Sequence, residues 1–118
     1  MSLPVIYKGS DEVIQLTITD ADGAPVVPST VEDIIISVYQ TKENVIQKWL
    51  LSEGTVDIFD DADGIVRVNL DRDNTEKIPQ KRIYLEVAVE TTNADFEDGV
   101  ARQIQSDIPL CDLKNSVT

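Results

Sequence analysis

The tetrapeptide Asp-Ala-Asp-Gly occurs twice in this 118-residue chain, at Asp20 to Gly23 and at Asp61 to Gly64. Carboxylates spaced just ahead of a glycine are how calcium loops supply hard oxygen ligands. The register of such a loop is strict. With each glycine at the sixth loop position, Ile18 or Phe59 falls where the first carboxylate belongs, and Ser29 or Leu70 where the bidentate glutamate belongs. Turn chemistry accounts for both copies, because Asp-Gly readily takes the positive φ that tight hairpins require. Asp60, Asp61 and Asp63 form the one candidate calcium cluster, against an overall expectation that no metal and no cofactor is bound.

Other chemistry has fewer footholds. The chain contains no histidine, which removes the usual general base and the usual zinc or iron ligand, and with them Ser-His and Cys-His catalysis. The single cysteine, Cys111, has no sequence neighbour that would lower its pKa. No serine lies in a Gly-x-Ser-x-Gly context, and no glycine-rich loop leads from a strand into a helix to cradle phosphate. A pair of carboxylates could hydrolyse glycosides, but acids on strand exteriors and turns are ordinarily a solvated surface. The expectation is a protein that is not an enzyme. Trp49 and Tyr84 are the interface candidates, since an exposed aromatic on a strand can anchor a partner. Trp49 shares its parity with Val45 and Gln47, which leaves its direction open, and Tyr84 could instead lodge its hydroxyl as a lock resembling a tyrosine corner.

Charge bounds the partners. Ten basic and twenty-two acidic residues give a formal net charge of −12, which repels phosphate backbones and anionic lipid, so neither nucleic acid nor membrane is an expected partner. The balance favours solubility, and also a basic partner or bound cations. An apolar content of 42% fits a folded domain whose core is Val, Ile and Leu, with only 5% aromatic residues. One domain fits this length, burying roughly 65% of the unfolded chain's surface. The N-terminus lacks the basic and apolar regions of a signal peptide, and no apolar run approaches bilayer length, so synthesis and retention in the cytoplasm are expected.

Turns and alternation set the elements. Period-two patterning marks strands at Pro4 to Lys8, Val13 to Thr19, Ile34 to Gln40, Val45 to Leu51, Thr55 to Phe59, Ile65 to Leu70, Ile83 to Glu90 and Val100 to Ile108. Ile14, Leu16 and Ile18 should face inward, as should Val66, Val68 and Leu70, and Ile83, Leu85, Val87 and Val89. Three consecutive isoleucines at Ile34 to Ile36 suggest a strand buried on both faces at its start. Val100, Arg102, Ile104, Ser106 and Ile108 should share one side of the last strand. Asp71 to Lys77 should form one helical turn that carries the chain between two sheets and ends before Pro79. The resulting fold class is all-β, an immunoglobulin-like antiparallel β-sandwich of about seven or eight strands with one short helical turn. It should span residues 1–118 as a single domain, with a core of about 4–109 and a loose tail over 110–118.

The order of these features resembles a family. Gly9 to Val26, which contains Asp20-Ala21-Asp22-Gly23-Ala24-Pro25-Val26, is similar to the opening of immunoglobulin-like domains in phage tail and baseplate proteins. Asp60 to Leu70, then Asp73-Asn74-Thr75 with Ile78, then Tyr84 to Val87, resemble in turn the later hairpin, helical turn and penultimate strand of the N-terminal domain of phage baseplate upper proteins. The resemblance covers nearly the whole chain. It implies a non-enzymatic virion structural protein, made in the bacterial cytoplasm, whose partners are other virion structural proteins or further copies of itself. A rival expectation is a carbohydrate-binding or adhesive sandwich of a bacterial surface, with Trp49 stacked on a sugar ring and turn carboxylates holding calcium.

Overall fold

The computed structural model describes residues 5–20, 22–79 and 81–114. Eight strands are present among the described residues: β1 (Val5–Tyr7), β2 (Glu12–Thr17), β3 (Asp33–Thr41), β4 (Asn44–Leu50), β5 (Asp57–Asp60), β6 (Ile65–Leu70), β7 (Arg82–Thr92) and β8 (Val100–Lys114). A single α-helical turn, α1 (Arg72–Glu76), links β6 to β7. The strands form a five-stranded sheet in the order β1-β8-β7-β3-β4 and a three-stranded sheet in the order β2-β6-β5. As the patterning predicts, α1 is where the chain crosses from one sheet to the other.

Alternation accounts for the core. In the small sheet Ile14 stands opposite Val68 and Leu16 opposite Val66, so one face of β2 and β6 is continuous hydrocarbon. It packs on Ile34, Ile36 and Val38 of β3 and Ile83 and Leu85 of β7, all buried. Outward positions of β6, such as Asn69, remain wet. β3 lies between β7 and β4, and its burial runs almost unbroken from Asp33 to Tyr39, as its isoleucine run predicts. The buried Asp33 carboxylate accepts from the Ile34 N–H and from both the N–H and hydroxyl of Ser52, each at 2.9 Å, so no acceptor is left dry.

Three sequence expectations change. One strand pair is not antiparallel: β1 runs parallel to β8, with Val5 opposite Asp112 and Tyr7 opposite Lys114. The tail expected to be loose is also structured as far as Lys114, and residues 115–118 lie outside the described residues. Pro109 does not end the strand: among the described residues β1 pairs with β8 only from Asp112 onward, so the proline has no described neighbour on that side that needs its missing N–H. Beyond it Cys111 and Leu113 are each 1% exposed, part of the core rather than appended to it.

The third change concerns parity along β8. Leu85 pairs with Ile108 and Val87 with Gln105, so Ser106 and Asp107 together oppose Glu86 in a β-bulge. Asp107 takes φ 58°, a left-handed conformation that aspartate tolerates better than most residues. The extra residue reverses the alternation. Ile104 therefore points outward beside Ala88, 55% exposed, while Ile108 points inward.

Burial also sets the chemistry of Cys111. Loss of solvent pushes its thiol from the ordinary 9.0 up to about 11, with Asp112 and Glu12 adding smaller electrostatic contributions in the same direction. Because the folded-state value is raised, the folded chain holds the proton more tightly than the unfolded one. The associated stability is intact below pH 9 and is lost as pH rises toward about 11. Native protein at pH 8 is expected to resist thiol-specific reagents and to react fully once denatured, which a colourimetric thiol titration checks. Rapid labelling of the native chain would contradict this packing.

Candidate docking groove

The two sheets differ in width, and the difference leaves a gap. The gap lies between the inner face of β7 and β8 and the end of β2 with the loop that follows it. A groove of about 570 Å³ opens there. Its floor is Leu85, Val87 and Val89 of β7 with Ile108, Gln105 and Gln103 of β8, and its opposite wall is Leu16 and Thr17 of β2 with Val26 and Val31 of the following loop. Gln103 and Gln105 face this side because they pair with Val89 and Val87, inward positions of β7.

The wall is held in place by backbone. Ile18 donates its N–H to the Gly64 carbonyl at 2.9 Å and accepts from the Val26 N–H at 2.8 Å, which ties the end of β2 to both the β5–β6 turn and the incoming loop. The Ile18–Gly64 bond also fixes the ladder phase. Even-numbered residues of β2 occupy hydrogen-bonded positions toward β6, so the amides and carbonyls of Val13, Gln15 and Thr17 point away from it. Among the described strands β2 pairs with β6 alone. The groove thus runs beside an unpaired strand edge.

The aspartates singled out in the sequence serve turns. Both carboxylate oxygens of Asp61 are occupied by Ser29, accepting from its N–H at 2.9 Å and its hydroxyl at 2.6 Å, which pins the 28–30 turn against the β5–β6 hairpin. Asp60 accepts from the Asp63 N–H at 3.2 Å, and Asp20 accepts from the N–H groups of Asp22 and Ala24. Among the described residues no three acidic or cysteine side chains gather at a position fit for a metal ion.

The aromatic candidates differ in burial. Trp49 is 3% exposed, faces inward opposite Ile36, and donates its indole N–H to the Asn69 carbonyl at 3.1 Å. It is a core residue and not a surface anchor. Tyr84 is half-buried on the outer face and stacks on Tyr39 with ring centroids 6.1 Å apart. A hydroxyl lock, the alternative left open for Tyr84, is made by its cross-strand neighbour Tyr39. The Tyr39 phenol accepts from the Asp107 N–H at 2.7 Å and donates to the Asp107 carboxylate at 2.6 Å, clasping the β8 bulge. Ser106 lies 3.2 Å from the same phenol and donates to Glu86 at 3.0 Å.

That clasp has a titration signature. The phenol hydrogen bond, aided by Lys42 at 3.4 Å, holds the Asp107 carboxyl below its ordinary 3.8. A lowered folded-state value means that the stabilisation is present above the ordinary value and lost as pH falls through the folded one. In Tyr39→Phe the Asp107 titration is expected to move upward, followed by carboxyl NMR shifts against pH; an unmoved titration would show that the phenol does not hold the bulge.

A two-sheet β-sandwich with a packed core, a wired turn set and an apolar groove beside a sheet edge that no described strand pairs is the class that fold and site define. The chain matches no protein-family model and no curated protein. No helix among the described residues is long and apolar enough to cross a membrane.

Proposed function

We propose that this protein is a non-enzymatic structural module of a phage or prophage virion, a tail, baseplate or fibre component that works through contacts with other virion proteins or with copies of itself. The observation that carries the reading is the apolar groove beside the unpaired edge of β2, a surface whose shape and backbone chemistry suit another polypeptide. The ordered likeness of Gly9 to Val26 to phage tail and baseplate proteins, and of Asp60 to Leu70 and Tyr84 to Val87 to baseplate upper proteins, supports the virion setting. The strongly acidic surface disfavours nucleic acid and anionic lipid as partners.

Sedimentation of the purified chain with phage tail components tests this directly. The expected result is co-sedimentation with one of them or a defined oligomer. A strictly monomeric chain that travels with none of them would reject the reading. The carbohydrate-binding alternative loses its stacking platform, because Trp49 is enclosed in the core and cannot face a sugar ring.

A further inference from the structure

We propose that the groove receives an extended strand from a partner protein, which adds to the free edge of β2 as a fourth strand of the small sheet. The added strand places alternate apolar side chains on Val87, Val89 and Ile108 and presents lysine or arginine on its outer face. Three observations converge on this occupant. The first is the backbone: Val13, Gln15 and Thr17 offer a row of outward amides and carbonyls, the template that strand addition completes. The second is the position of the groove, which the end of β2 at Leu16 and Thr17 lines on one side and the inner face of β7 and β8 at Val87, Val89 and Ile108 lines on the other. A strand bonded to β2 lies over that floor, and its period-two alternation sends every second side chain down into it.

The third is charge. Asp20 lines the groove, the chain carries a formal net charge of −12, and the floor itself is neutral, with glutamine amides beside valines. An incoming strand is therefore apolar where it faces the floor and basic where it faces solvent, and a second copy of this acidic chain is disfavoured by repulsion. The inference rests on the docking reading above only in requiring a polypeptide partner; it does not depend on that partner being a virion protein.

The test begins with selection of random linear peptides on the full chain, counter-selected on Val89→Lys, which puts a cation into the groove. Gln15→Pro is a second variant that removes one outward N–H at a residue that does not line the groove, and thermal unfolding of both variants establishes that they are folded. The enriched peptides are expected to alternate apolar and basic residues, to lose binding to either folded variant, and to slow hydrogen exchange at Val13, Gln15 and Thr17. Binding should weaken as salt is raised. Three results would overturn the proposal: no enrichment over the Val89→Lys background, enriched peptides that leave those amides exchanging freely, or a homodimer that protects the same amides without peptide. Co-sedimentation with tail components that persists in Val89→Lys would leave the virion reading standing and remove the groove from it. Peptide capture by a chain that joins no tail component would do the reverse.

Discussion

Gly64→Ala is expected to destabilise the fold by about 2–5 kcal/mol in urea unfolding, with the slope of the transition unchanged. Gly64 sits at φ 70°, where an L-residue loses roughly 1–2 kcal/mol. Space is the larger problem. A Cβ there would stand 2.7 Å from the Val26 carbonyl oxygen and 2.8 Å from that of Ile18, and both belong to backbone that cannot swing aside. Forcing atoms into such packing costs about a further 1–3 kcal/mol. Gly54→Ala is the internal control, since Gly54 takes φ 77° with nothing within 4 Å of the added carbon. It should lose only the conformational part, about 1–2 kcal/mol. Equal losses at the two sites would show that the junction between the hairpin, β2 and the incoming loop is not close-packed.

Trp49→Ala is expected to cost about 3–5 kcal/mol, the range for deleting a buried large aromatic. Trp49→Phe separates volume from hydrogen bonding. The Asn69 carbonyl that accepts from the indole at 3.1 Å also accepts from the Gln47 amide at 3.0 Å, so the phenylalanine variant leaves no dry acceptor and should lose about 1–2 kcal/mol. A surface anchor would behave in the opposite way, leaving stability near wild type and abolishing partner binding. Chemical denaturation of the three proteins therefore decides between core and anchor.

Strands whose alternation is unbroken were legible from residues alone. β6 reads Ile65 to Leu70 with Val66, Val68 and Leu70 inward, and the structure places them so, because a strand paired on both sides has no room to change phase. β4 and β8 were harder, for one physical reason. Each carries a bulge, at Ile46 where Val38 pairs with Gln47 but Tyr39 with Val45, and at Ser106–Asp107. An inserted residue reverses the side chains that follow until a second shift restores the phase, as Leu110 does between the Tyr84–Pro109 and Ile83–Cys111 pairs, and nothing in the composition of either strand announces it.

Polar residues at inward positions misled for a different reason. Gln47 shares the inner face with Trp49, which makes the strand look undecided. Its amide is consumed at the β6–α1 junction, accepting from the Asp71 N–H at 3.1 Å and the Asn74 amide at 2.9 Å while donating to Asn69. A satisfied amide is tolerated where an unsatisfied one is not. The residues past Pro109 were invisible because their burial depends on β1, which is distant in sequence and contributes three described residues. The groove was likewise out of reach, since it follows from strand order and the unequal width of two sheets, neither of which period-two patterning encodes.

The parallel pairing of β1 with β8 bears on how the molecule would transmit force. Tension drawn through the backbone, outward from Val5 on one side and from Lys114 on the other, pulls two neighbouring strands in opposite directions along their length. The hydrogen bonds joining them are then loaded together, in shear, whereas an antiparallel pair held at one end would be peeled open bond by bond. Leu113 and Ile6, paired on the buried face of that clasp, must also slide past each other before it gives way.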